Sequence, residues 1–102
     1  MSVTPILLFS GQTANAPSEV ITLPISQHGP LQGVRDYHYA MIGTWDTATL
    51  VLEISIDGGS TWFIIATNTA DAEAIVQLGP CKVRFTLSSV GASTDLDASF
   101  NG

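Results

Sequence analysis

Leu50-Val51-Leu52-Glu53-Ile54-Ser55-Ile56-Asp57-Gly58-Gly59-Ser60-Thr61-Trp62 is the stretch from which the fold can be read. Successive side chains of an extended chain point to opposite faces. Leu50, Leu52, Ile54 and Ile56 therefore share one face, and Val51, Glu53, Ser55 and Asp57 share the other. The first face is wholly apolar and is expected to be core. Gly58 and Gly59 reach positive φ without a Cβ clash, so the chain is expected to reverse within about four residues and to begin its next strand at Thr61. Asp57 suits the start of such a turn because its carboxylate accepts hydrogen bonds from backbone N–H groups one or two residues on.

The same alternation extends in both directions. Downstream, residues 61–67 return as the second arm, 68–71 form a turn, and 72–78 make a strand ended by Gly79-Pro80. Residues 81–88 place Cys81, Val83, Phe85 and Leu87 on one face, and after a loop around Gly91 residues 95–100 turn Leu96, Ala98 and Phe100 inward. Upstream, residues 35–43 put Tyr37, Tyr39 and Met41 on one face and Asp36, His38, Ala40 and Ile42 on the other. Residues 27–33 read as a loop. Residues 19–25 read as an edge strand with Ile21, Leu23 and Ile25 in phase, and 10–18 as a polar loop. Residues 3–9 form a strand interrupted by Pro5, which places it at an edge or makes it an arm crossing onto a neighbour. These are about eight short strands, roughly 8 to 14 residues apart, with no 3.6-residue periodicity. The expectation is an all-β chain. Residues 1–102 form one antiparallel β-sandwich domain, specifically an eight-stranded jelly roll, with 1–18 as an N-terminal strand or arm plus loop.

Composition narrows the function. Charged residues make up 12% of the 102 residues, about half the usual share of roughly 25%. Hydrophobic residues make up 45%, and the mean hydropathy is +0.32. Trp62, Phe63, Ile64, Ile65 and Ala66 are consecutive, and Ile75 lies out of phase with Ala74 and Val76, so some strands are apolar on both faces. A two-layer sandwich turns one face of each strand to water. A second apolar face implies cover by another subunit, in a homo-oligomer or a larger assembly. The formal net charge is -6, with Arg35, Lys82 and Arg84 the only basic residues, which is not the clustered cationic surface that nucleic acid requires. No apolar stretch approaches a membrane span. The run Ile6-Leu7-Leu8-Phe9 is short and follows no Lys or Arg, so it reads as a first strand rather than a leader. Cys81, the only cysteine, has no disulfide partner within the chain and is expected as a core thiol.

Little in the chain suggests chemistry. His28 and His38 lie on different elements without a metal-ligand spacing, and no Ser, His and Asp order suggests a triad. Asp95 with Asp97, and Asp71 with Glu73, share strand faces but read as solvated carboxylates rather than a Ca²⁺ site. No enzyme activity, cofactor or metal is expected. Tyr37 and Tyr39, in phase with Met41, read as core. Trp45, beside Asp46 in a loop, is the best single candidate for a contact residue, either as an anchor for a neighbouring subunit or as a platform for a sugar ring.

Two resemblances add to this reading. Ser55-Ile56-Asp57-Gly58-Gly59-Ser60-Thr61-Trp62 fits S-x-D-x-G-x-T-W and resembles the Asp-box of sialidases and related propellers, a hairpin element away from their active sites. The resemblance implies hairpin geometry alone: Asp57, with Ser55 and Thr61 in the motif, bonds the turn, Gly59 supplies the special φ, and Trp62 packs across the hairpin. The longer order, Leu50 to Trp62 followed by Val76-Gln77-Leu78-Gly79-Pro80-Cys81-Lys82-Val83-Arg84-Phe85, resembles small structural proteins of tailed phages, including capsid cement or decoration proteins. That resemblance implies a virion protein on the capsid exterior, a homotrimer before a dimer, that bridges major capsid subunits and touches neither nucleic acid nor membrane. Pro5, Ile6, Leu7, Trp45, Phe63 and Ile65 are then the candidate interface. The alternative is a carbohydrate-binding or fibre β-sandwich module that stacks sugars on Trp45 or Trp62.

Overall fold

The computed structural model describes residues 6–23 and 35–101, and in these every regular element is a strand. In chain order they are β1 (Ile6–Gln12), β2 (Ala16–Pro17), β3 (Ile21–Thr22), β4 (Arg35–Thr44), β5 (Thr49–Ser55), β6 (Phe63–Asn68), β7 (Ala72–Leu78), β8 (Lys82–Ser88) and β9 (Asp95–Asn101). The pairs nest around residues 56–62. β5 pairs β6, β4 pairs β7, β2 and β3 pair β8, and β1 pairs β9, all antiparallel. The chain is one long hairpin whose tip is the Asp57 loop. It folds over so that β4 also pairs β9 and β5 also pairs β8. The sheet orders are β1-β9-β4-β7 and β2-β8-β5-β6, with β3 also beside β8. Because β2 and β3 divide one strand position, there are eight positions in jelly-roll order, as the alternation and spacing led us to expect.

The core lies between the inner faces. Val83, Phe85 and Leu87 of β8 and Leu50 and Leu52 of β5 meet Tyr37, Tyr39 and Met41 of β4 and Leu96, Ala98 and Phe100 of β9, all buried. Tyr37 stacks on Phe100 at 5.4 Å between centroids, and Tyr39 meets Phe85 edge-on at 6.3 Å, joining the two sheets. Each large side chain so buried contributes roughly 1.5–3 kcal/mol relative to exposure. Gly43 is required where β4 crosses β9. Its φ is +147°, and a Cβ there would overlap the Asp95 carbonyl oxygen. Cys81 is only partly buried and packs against the core from the start of β8.

Several expectations are corrected. The reversal takes all of residues 56–62 rather than about four, with β5 ending at Ser55 and β6 starting at Phe63. Ile56 has therefore left the ladder and is 75% exposed, whereas Ser55, expected to face outward, is 1% exposed because its hydroxyl closes the loop. Residues 10–18 are not a single loop: Ser10 to Gln12 continue β1, and β2 lies at Ala16–Pro17. The strand expected over 19–25 shrinks to Ile21–Thr22 within the described residues. Within the described residues the first strand is an edge of its own chain's sheet, β1 on β9. Pro5, Ile25, His28 and the loop at 27–33 lie outside the described residues.

Candidate functional site

The hairpin tip is held by one carboxylate oxygen. Asp57 Oδ1 accepts hydrogen bonds from the Ser55 hydroxyl at 2.8 Å, the Ser60 N–H at 3.1 Å and the Thr61 N–H at 2.8 Å. The Ser55 hydroxyl accepts in turn from the Gly59 N–H at 2.9 Å. Gly58 and Gly59, at φ +82° and +103°, turn these donors inward. The Thr61 backbone N–H, then the Thr61 and Ser55 hydroxyls, hold the Asp57 pKa at about 2, against an ordinary 3.8. Ser55, Asp57, Gly59 and Thr61 of the motif are joined by these hydrogen bonds. Trp62 closes the set by donating from Nε1 to the Gly59 carbonyl at 3.0 Å.

Trp62 also leads onto the outer face of the β8-β5 sheet. Arg84 lies 4.1 Å over its ring and donates from Nε to Glu53 Oε1 at 2.9 Å. The Thr86 hydroxyl donates to the same oxygen, and Lys82 Nζ reaches the Thr22 hydroxyl at 3.0 Å. Both cations on this face are occupied by the fold's own side chains, and one face of Trp62 is covered.

At the opposite end of the sandwich, Trp45 is half-buried and donates from Nε1 to Asp71 Oδ1 at 2.8 Å, an oxygen that also accepts from the Gly43 N–H at 3.1 Å. The buried Thr94 hydroxyl donates to the Trp45 carbonyl at 2.9 Å, and Asp46 Oδ2 accepts from the Ser93 N–H at 2.8 Å. Trp45 therefore ties loops together. Of the carboxylates considered for Ca²⁺, Asp71 is engaged by these two donors, Asp97 accepts from the Gly11 N–H at 2.7 Å, and Glu73 pairs with His38 at 2.9 Å. Among the described residues no three His, Cys, Asp or Glu side chains converge on a metal position. Burial raises the Cys81 pKa, which keeps the thiol protonated and a poor nucleophile at neutral pH.

The candidate interface residues do not form one patch. Leu7 is exposed on β1 opposite Ser99, Trp45 lies at the loop end, and Phe63 and Ile65 lie on β6, at the far side from β1. For Ile6 only the backbone is described, opposite Phe100, and Pro5 is outside the description. What the structure gathers is Phe63, Ile64 and Ile65 on one sheet edge, with Ile56 in the loop leading to it. Sequence reasoning did not single out Ile42, exposed on the outer face of β4, although its phase opposite Tyr37, Tyr39 and Met41 marked it as outward. No family model, curated protein or solved structure matches the chain.

Proposed function

We propose that this protein is a non-enzymatic virion protein, a capsid cement or decoration protein seated on the capsid exterior. It bridges major capsid subunits as a homo-oligomer, trimeric or dimeric, and adds contact area across capsomer boundaries. The observation that carries this reading is the amount of apolar surface on the sandwich: Leu7, Val20, Ile42, Ile56, Phe63, Ile64, Ile65 and Ile75 are all exposed in a chain with 12% charged residues. The resemblance of residues 50–62 and 76–85 to tailed-phage structural proteins supports it further. A sugar-stacking role has less support, because Trp45 is half-buried and bonded to Asp71, and Arg84 covers a face of Trp62.

The test is co-sedimentation with assembled shells of the cognate major capsid protein, beside the same protein unassembled. A cement protein sediments with shells and ignores free subunits, because its site is made by neighbouring capsomers. Equal binding to both, or to neither, removes the reading.

A further inference from the structure

Among the described residues, sheet edges are formed by β1 and β7 in one sheet and by β2, β3 and β6 in the other. An edge strand presents a row of unpaired N–H and C=O groups, and proteins blunt such edges with bulges, short strands, proline or charge. Most edges here are blunted. The register of β1 shifts twice along its length. β2 and β3 are two residues each, and β2 contains Pro17. β7 carries Glu73 near its start, paired to His38.

β6 differs. Phe63-Ile64-Ile65-Ala66-Thr67-Asn68 holds neither charge nor proline, and residues 58–70 contain no Asp, Glu, Lys or Arg. Phe63, Ile64 and Ile65 are 51%, 59% and 37% exposed. Its one register shift, where Ile65 is inserted opposite Leu52 and Glu53, is a bulge too, but a single one, and it leaves Ala66, Thr67 and Asn68 in unbroken register with Leu52, Val51 and Leu50, whereas β1 is interrupted twice.

We propose that two copies of this chain pair along β6, antiparallel, joining their β8-β5-β6 sheets into one continuous sheet. Copies with net charge -6 repel one another over most of their surface, and 58–70, like 1–18, is a segment where they can approach without like charges meeting; of the edges in these two segments, β6 is the one that exposes three consecutive large apolar side chains. Pairing of one strand with itself is isologous and closes at two copies, so this edge makes a dimer rather than a trimer. The six-residue strand spans about 20 Å. The contact rests on six residues of one strand edge, so the association is expected to be weak and to depend on protein concentration. This pairing goes beyond the capsid reading and does not depend on it, since it is measured on the protein alone.

Sedimentation equilibrium from micromolar to millimolar protein tests it. The mass is expected to rise from 10.7 kDa toward twice that value. Ile64→Lys is expected to weaken association about tenfold or more, while Ile42→Lys, an equally exposed position on the other sheet, leaves it unchanged. Circular dichroism verifies that each variant folds. If Ile64→Lys does not, Thr67→Lys, exposed on the same strand, takes its place with the same expected loss. A wild-type protein that stays at 10.7 kDa to millimolar concentration overturns the proposal. So does a folded β6 lysine variant that associates like wild type, or an Ile42→Lys variant that does not associate.

Discussion

Ser55→Ala tests how the hairpin tip is held. Ser55 is 1% exposed, and its hydroxyl both donates to Asp57 Oδ1 at 2.8 Å and accepts from the Gly59 N–H at 2.9 Å. Alanine removes both bonds at once. Asp57 is exposed and keeps its Ser60 and Thr61 donors, so water replaces the lost one. The Gly59 N–H, in a partly buried residue, loses its acceptor, and a donor left unsatisfied costs about 1–3 kcal/mol. The expected loss is therefore about 2 kcal/mol, which for a domain of this size lowers Tm by roughly 8–16 °C. Urea unfolding followed by circular dichroism measures the free energy, with an unchanged m-value showing that the same surface unfolds. In parallel, carboxyl NMR should show the Asp57 pKa rising from about 2, but only part of the way, because the larger Thr61 contributions remain. A variant within about 0.5 kcal/mol of wild type refutes the reasoning, since surface-like substitutions fall in that range.

Two further outcomes concern the Asp57 charge and the close approach of β4 to β9. The Asp57 pKa is lower in the fold, about 2, than the ordinary 3.8, so its stabilising contribution is complete above about pH 4 and is lost as pH falls through about 2. Asp57→Asn keeps the acceptor oxygen but not the charge. The stability gap between wild type and this variant should hold above pH 4 and narrow on acidification, and a gap independent of pH contradicts the account. Gly43→Ala should cost about 2–6 kcal/mol, from overpacking against β9 and from a φ of +147°. Gly58→Ala, with nothing within 4 Å of the new Cβ, should cost only about 1–2 kcal/mol of backbone strain, so thermal melts that rank the two the other way exclude the β4–β9 contact as the cause.

From residue 35 onward the sequence by itself determined which segments are strands and, Ser55 and Ile56 apart, which of their faces turn inward, whereas before residue 24 it missed β2 and overran β3. Val83, Phe85 and Leu87, and likewise Leu96, Ala98 and Phe100, alternate with polar neighbours and are buried as that period requires. The Asp57 turn was legible as a turn held by that carboxylate, although its backbone donors, Ser60 and Thr61, lie three and four residues on rather than one or two. The tertiary structure decided what depends on contacts distant in sequence. Ile56 fits the phase of Leu50 and Leu52 yet is exposed, because pairing stops at Ser55 when the loop bonds of Asp57 take over. Trp45 reads as a free loop aromatic until Asp71, 26 residues on, is brought to its Nε1. Gly43 looks dispensable in a strand until β9 crosses it. Phe63, Ile64 and Ile65 were visibly apolar, but only the order β2-β8-β5-β6 places them at an open edge. Alternation is a local property of the extended chain, whereas the choice of neighbouring strand is settled by long-range closure, and that choice determines which apolar side chains remain for another molecule.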